Sequence, residues 1–114
     1  MELLKTQGTL PKGIVIAGIT YRHFHMREAE LADMIEAEAD SGGAGNAIHY
    51  NAQLAVRQLI KVDDGEGREY GGPFTVEMIK KRGDFLALRG AQIKLDALGN
   101  AEPNASGSTT TQSS

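Results

Sequence analysis

His23 and His25 stand two residues apart in Ile19-Thr20-Tyr21-Arg22-His23-Phe24-His25-Met26, a stretch with strong β propensity, so a strand would put both on one face. Such a pair can give two ligands to a metal ion. A site needs a third and usually a fourth, and His49, Glu28 and Glu30 could serve only if the fold gathered them. Nothing in their spacing does so, and the pair reads as exposed strand histidines. The six acids Glu28, Glu30, Asp33, Glu36, Glu38 and Asp40 could bind cations or work as an acid/base pair, but a solvated helix face accounts for them more simply. Ser41-Gly42-Gly43-Ala44-Gly45 precedes a helix as a phosphate loop would, yet lacks the following Lys-Ser/Thr and reads as a hinge. Arg82-Gly83-Asp84 matches an adhesion tripeptide and fits a helix stop followed by a cap. No Gly-x-Ser-x-Gly, Walker loop or His-Glu-x-x-His occurs. Cysteine is absent, which removes disulfides, thiolate metal ligands and cysteine nucleophiles. A non-enzymatic protein without metal or cofactor is expected.

The charge balance points the same way. Twelve basic and fifteen acidic residues give a net charge of −3, without the basic excess that phosphate neutralisation requires, so no nucleic-acid partner is expected. The one basic cluster, Lys80-Lys81-Arg82, reads as a complement to a helix dipole. Met1 to Thr6 lacks the apolar run of a signal peptide and no stretch reaches membrane-spanning length, which predicts a cytoplasmic protein with no membrane partner. The 114 residues suffice for one domain, with three Phe, three Tyr and no Trp to fill its core. A domain this small leaves much of its surface unburied and gains by packing on a partner.

The elements that must position these residues form an α+β pattern. It consists of an N-terminal antiparallel β-hairpin or small sheet over residues 1–26, three to four α-helices over 27–100, and a disordered polar tail over 101–114. Gly13-Ile14-Val15-Ile16-Ala17 and Ile19 to Met26 are the hairpin strands with Gly18 at the turn; residues 3–10 offer a third strand before Pro11. Phe24 and Met26 alternate with His23 and His25, but the alternation leaves open which face is buried. Leu31, Met34 and Ile35 form the apolar stripe of a first helix over 28–40. Ile48, Ala52, Ala55, Leu59 and Val62 form that of a second over 46–62, with Asn46 as cap. A polar loop over 63–72 follows, then a short helix over 75–81 capped by Thr75 and stopped by Gly83. The last helix is expected over 84–98, capped by Asp84.

That last helix has two apolar faces. At 100° per residue, Leu88, Ala91, Leu95 and Leu98 fall on one side, and Leu86, Gly90, Ile93 and Ala97 on nearly the opposite side. Glycine in a helix interior costs about 1 kcal/mol relative to alanine, so Gly90 suggests a place where another backbone comes close. Leu86, Gly90 and Ile93 are therefore the first candidates for receiving a partner helix, unless the domain covers that face itself. Tyr50 and Leu54, four apart and off the main stripe of their helix, make a second, smaller patch.

The blocks Gly8-x-Leu10-Pro11-Lys12-Gly13, Gly18, Phe24-His25-Met26-Arg27, Asp33 and Asp84-Phe85-x-x-Leu88-x-x-Ala91-x-x-x-Leu95 resemble, in order and spacing, the tail assembly chaperones of Mu-like phages and prophages. The likeness spans residues 6–98. The polar loop 63–72 is longer than the family's, and Ala29 to Leu31 lacks its β-branched residues. The resemblance implies a protein that binds the tape-measure protein, a long apolar helical chain. It would keep that chain soluble in the host cytoplasm while tail-tube subunits polymerise around it, and would not be retained in the virion. Such chaperones are often the shorter product of a frameshifting pair. A homo-oligomer stays open. The alternatives are a structural minor tail or baseplate subunit, and a small enzyme or metal protein using His23 and His25.

Overall fold

The computed structural model describes residues 3–43 and 45–99; the tail expected over 101–114 lies outside them. Four strands, β1 (Lys5–Ile16), β2 (Ile19–Arg27), β3 (Leu59–Asp63) and β4 (Glu69–Tyr70), form one antiparallel sheet in sequence order. Three helices accompany it: α1 (Leu31–Ser41), α2 (Ala47–Gln58) and α3 (Arg82–Gly99). The α+β class holds. The sheet has more strands than the expected hairpin, and the helices are divided differently.

The two segments expected to flank Pro11 are one strand. β1 pairs with β2 from Lys5↔Arg27 to Ile16↔Ile19, and a turn at Ala17 and Gly18, with φ of 53° and 82°, joins them. Two successive positive φ values make the twist of the turn match that of the strands. Between Thr9↔His23 and Ile14↔Tyr21, five steps along β1 answer two along β2, so β1 bulges outward at residues 10–13. Pro11 can sit there because β1 is an edge strand and the ladder is already broken. Gly13 has φ 95°, and a Cβ on it would lie 2.8 Å from Thr20 Cγ2 and 2.9 Å from the Tyr21 carbonyl oxygen, so only glycine fits.

The bulge leaves backbone groups without ladder partners, and side chains from elsewhere take them. Lys12 N–H and Gly13 N–H donate to the two carboxylate oxygens of Asp84 at 2.8 and 3.1 Å. Arg22 Nε donates to the Leu10 carbonyl at 3.1 Å. Asp84 is 1% exposed and lies in the first turn of α3, not ahead of it as the expected cap. The helix begins two residues earlier, with Asp84 N–H and Phe85 N–H both donating to the Lys81 carbonyl.

The helix expected over 46–62 ends at Gln58, where Leu59 turns to an extended φ of −66° and ψ of 127°. Residues 59–63 become β3 instead, pairing Met26↔Leu59 and Phe24↔Val62. Leu59 and Val62 enter the core as expected, but from a strand. Buried amides hold the junction. Gln58 Nε2 donates to the Arg27 carbonyl, while Gln92 Nε2 donates to Gln58 Oε1 at 2.9 Å and to the Asn51 carbonyl at 3.1 Å. The loop expected over 63–72 contains β4, and the short helix expected over 75–81 shrinks to a single 3-10 turn, Val76–Met78.

The apolar stripe of the first helix does not face the core. α1 buries Asp33, Ala37 and Ser41 and turns Leu31 and Ile35 to solvent. The cause is an ion pair. Arg27, at the end of β2, grips Asp33 through both guanidinium nitrogens, at 2.8 and 3.2 Å, and also donates to the Glu28 and Arg57 carbonyls. Asp33 in turn accepts the Glu30 N–H, completing a capping box at the helix start. Small Ala37 and Ser41 then let α1 lie close against α2, where Arg57 reaches back to Glu36 and Asp40.

The core sits between the sheet and α3. Leu10, Ile14, Tyr21, Phe24, Met26 and Val62 meet Leu88, Ala91 and Leu95, with Ala55 of α2 closing one end. Full burial of Leu88 and of Leu95 contributes about 2–3 kcal/mol each.

Two predictions follow from the polar anchors. Asp84→Ala removes an acceptor from two backbone donors and should lower stability by about 3 kcal/mol, read as an earlier urea midpoint; an unchanged midpoint refutes the anchoring role. The hydrogen bond from Arg27 holds the Asp33 carboxyl below the ordinary carboxylate range. Because its folded-state value is depressed, Asp33 stabilises fully above the ordinary range, and that contribution disappears as pH falls through the lowered value. Acid titration of unfolding should therefore be shallower in Asp33→Asn than in the wild type.

Candidate partner-binding surface

The expected two-faced helix is two-faced in the fold. Leu88, Ala91 and Leu95 seal against the sheet, whereas Leu98 on the same side emerges beyond it. On the opposite side Leu86 is 47% and Ile93 55% exposed, and Gly90 between them has nothing within 4 Å of where a Cβ would stand. The structure thus brings Leu86, Gly90 and Ile93 onto one outward face. No element of the described chain covers Gly90, so the backbone approach inferred from it is not made internally.

Tyr50 and Leu54 stand on α2 and are half-buried there. The same helix contributes Ile48, 73% exposed, and Ala52 to a groove of about 510 Å³. Val76 and Ile79, around the 3-10 turn, and Phe85 and Leu86 from α3 supply the rest of its apolar lining. Lys80, Lys81 and Arg82 form its rim. Among the described residues none of these three cations is within ion-pair distance of a carboxylate. Sequence reading assigned the cluster to a helix dipole. The cluster sits instead at the start of α3, the end where a helix dipole disfavours cations. Position in the fold, not spacing in the chain, ties it to the groove. A detectable signal was the apolar Val76, Ile79 and Phe85 on both sides of it.

A second apolar surface was missed for a different reason. On α1, Leu31 is 70% and Ile35 59% exposed, with Met34 beside them and Glu38 in line one turn further. Most amphipathic helices turn such a stripe inward, and here the Arg27–Asp33 pair turns it outward.

The histidines come together only in part. His25 Nε2 lies 2.7 Å from Asp63 Oδ2, a bond that lowers the Asp63 pKa and ties β2 to β3. His23 and His25, with Asp63, line a shallow depression of about 320 Å³, while His49 bonds to Gln53 on α2. Among the described residues no group of three or more His, Asp and Glu side chains is placed to hold a metal ion, and no helix is long and apolar enough to cross a membrane. Compared with protein-family models, curated proteins and solved structures, the chain matches none.

The open space at Gly90 gives a direct test of the exposed face. Gly90→Ala adds a methyl group that meets nothing and removes the helix cost of glycine, so it should stabilise the protein by about 0.5–1 kcal/mol in thermal unfolding. Destabilisation would mean that the face is covered.

Proposed function

We propose that this protein is a non-enzymatic phage tail assembly chaperone of the Mu-like kind. In this reading it binds the tape-measure protein in the host cytoplasm, keeps it soluble while tail-tube subunits polymerise around it, and leaves before the virion is complete. The observation that carries the proposal is the outward face of α3, where Leu86, Gly90 and Ile93 lie exposed along one side of a helix otherwise packed into the core. Apolar side chains flanking a glycine give a client helix both greasy contact and a short distance of approach. The ordered blocks that resemble the tail-chaperone family support the same reading. A net charge of −3 and a polar remainder keep a complex with an apolar client in solution.

The test is co-expression with the large tail protein expected to be the client. The wild type should turn that protein soluble and co-purify with it. Gly90→Leu, which fills the approach site, and Ile93→Asp should each reduce the soluble fraction severalfold while the circular dichroism spectrum stays that of the wild type. An insoluble client beside folded wild type overturns the proposal. Recovery of the protein in stoichiometric amount from purified virions would favour a structural minor tail or baseplate subunit instead.

A further inference from the structure

We propose that α1 of one copy docks in the cation-rimmed groove of a second copy. The groove described above is apolar inside and carries Lys80, Lys81 and Arg82 at its rim with no carboxylate partner among the described residues. Its occupant must therefore be apolar along the middle and acidic at the margins, because burying an apolar segment beside unpaired cations leaves their charge uncompensated. The fold displays a segment of that chemistry. Leu31 and Ile35 project from α1 with Met34 beside them, Glu30 stands at the head of the stripe, and Glu38 continues it.

The acids on α1 divide into two sets. Asp33 is committed to Arg27, and Glu36 and Asp40 to Arg57 on α2. Glu30 accepts the Asp33 N–H in the capping box and lies 3.9 Å from Arg27, yet 58% of its side chain stays exposed, and Glu38 has no ion-pair partner among the described residues. The exposed Glu30 and the unpaired Glu38 therefore bracket the two most exposed apolar residues of the helix. From Leu31 to Glu38 the stripe runs about 10 Å at the helical rise, a short knob of two turns. Groove and stripe occupy different elements of the chain, so the contact is heterologous: each copy offers one knob and one groove. The groove shares Leu86 with the surface of the tail-assembly proposal, but the variants that test it leave Leu86, Gly90 and Ile93 unchanged, so either proposal can fail without the other.

Two full-length variants test it. One carries Leu31→Asp and Ile35→Asp, which removes the knob; the other carries Lys80→Glu and Lys81→Glu, which reverses the rim. All four positions are exposed, and circular dichroism checks that the fold is kept. Should either double variant unfold, Ile35→Ser and Lys81→Ser replace them. In analytical ultracentrifugation the wild type should gain mass with concentration and lose it in high salt, which screens the rim charges. Each variant alone should associate at least about tenfold more weakly, the scale of losing an anchoring contact. Mixed together, the two should form a 1:1 complex, since one retains a knob and the other a groove. A wild type that is monomeric at every concentration overturns the proposal, as does a mixture that fails to associate or a variant that self-associates like the wild type.

Discussion

The grip of Asp84 on the amides of Lys12 and Gly13 sets the rotation of α3, and through it most of the molecule's surface. A bulge in an edge strand exposes backbone donors that water or another group must satisfy. Here one buried carboxylate takes both, so the first turn of α3 is pinned to β1 at a single point. Counting from Asp84 at 100° steps, Leu88, Ala91 and Leu95 fall on the same stripe and must enter the core with it. Leu86, Gly90 and Ile93 then have nowhere to go but outward. The apolar exposure of α3 follows from where its anchor lies.

The same logic governs α1 with different chemistry. Arg27 takes Asp33 in a two-pronged bond, and Asp33 lies on a stripe with Ala37 and Ser41. Satisfying that carboxylate turns the small residues toward α2 and drives Leu31 and Ile35 into solvent. A partly buried pair of this kind is costly to break from one side, because the remaining charge is left without a partner. In α1 a polar contact outranks the hydrophobic pattern in choosing which face is hidden, and in α3 it selects between two apolar faces. The surplus apolar surface is a consequence of these anchors and is distributed over two separate sides of the fold.

These anchors also explain what could be read in the sequence. The β1–β2 hairpin, its Gly18 turn and the double face of α3 were legible, because each depends on local residue types or on a period within one element. The orientation of α1 was not, because Arg27 and Asp33 belong to different elements and no periodicity marks their pairing. The end of α2 was illegible for another reason: Leu59 and Val62 stand three apart, the spacing of a continued helix, and β3 buries both only because its register with β2 shifts between His25↔Lys61 and Met26↔Leu59. Asp84 had the right residue type for a cap and a different role, since the donors it serves come from 71 and 72 positions earlier in the chain. The groove could not be seen at all before α2 and α3 were set side by side.

The bulge that gives Asp84 its partners has a further effect on the outer margin of the sheet. β1 is the longer of the sheet's two edge strands, and a long, flat, exposed margin of this kind invites pairing with another chain and growth into fibrils. Pro11 has no amide hydrogen to offer a newcomer, and the neighbouring amides of Lys12 and Gly13 are already turned inward. A would-be extra strand therefore finds its ladder interrupted midway. The β1 margin is thereby a poor template for fibril growth beside the exposed apolar helix faces.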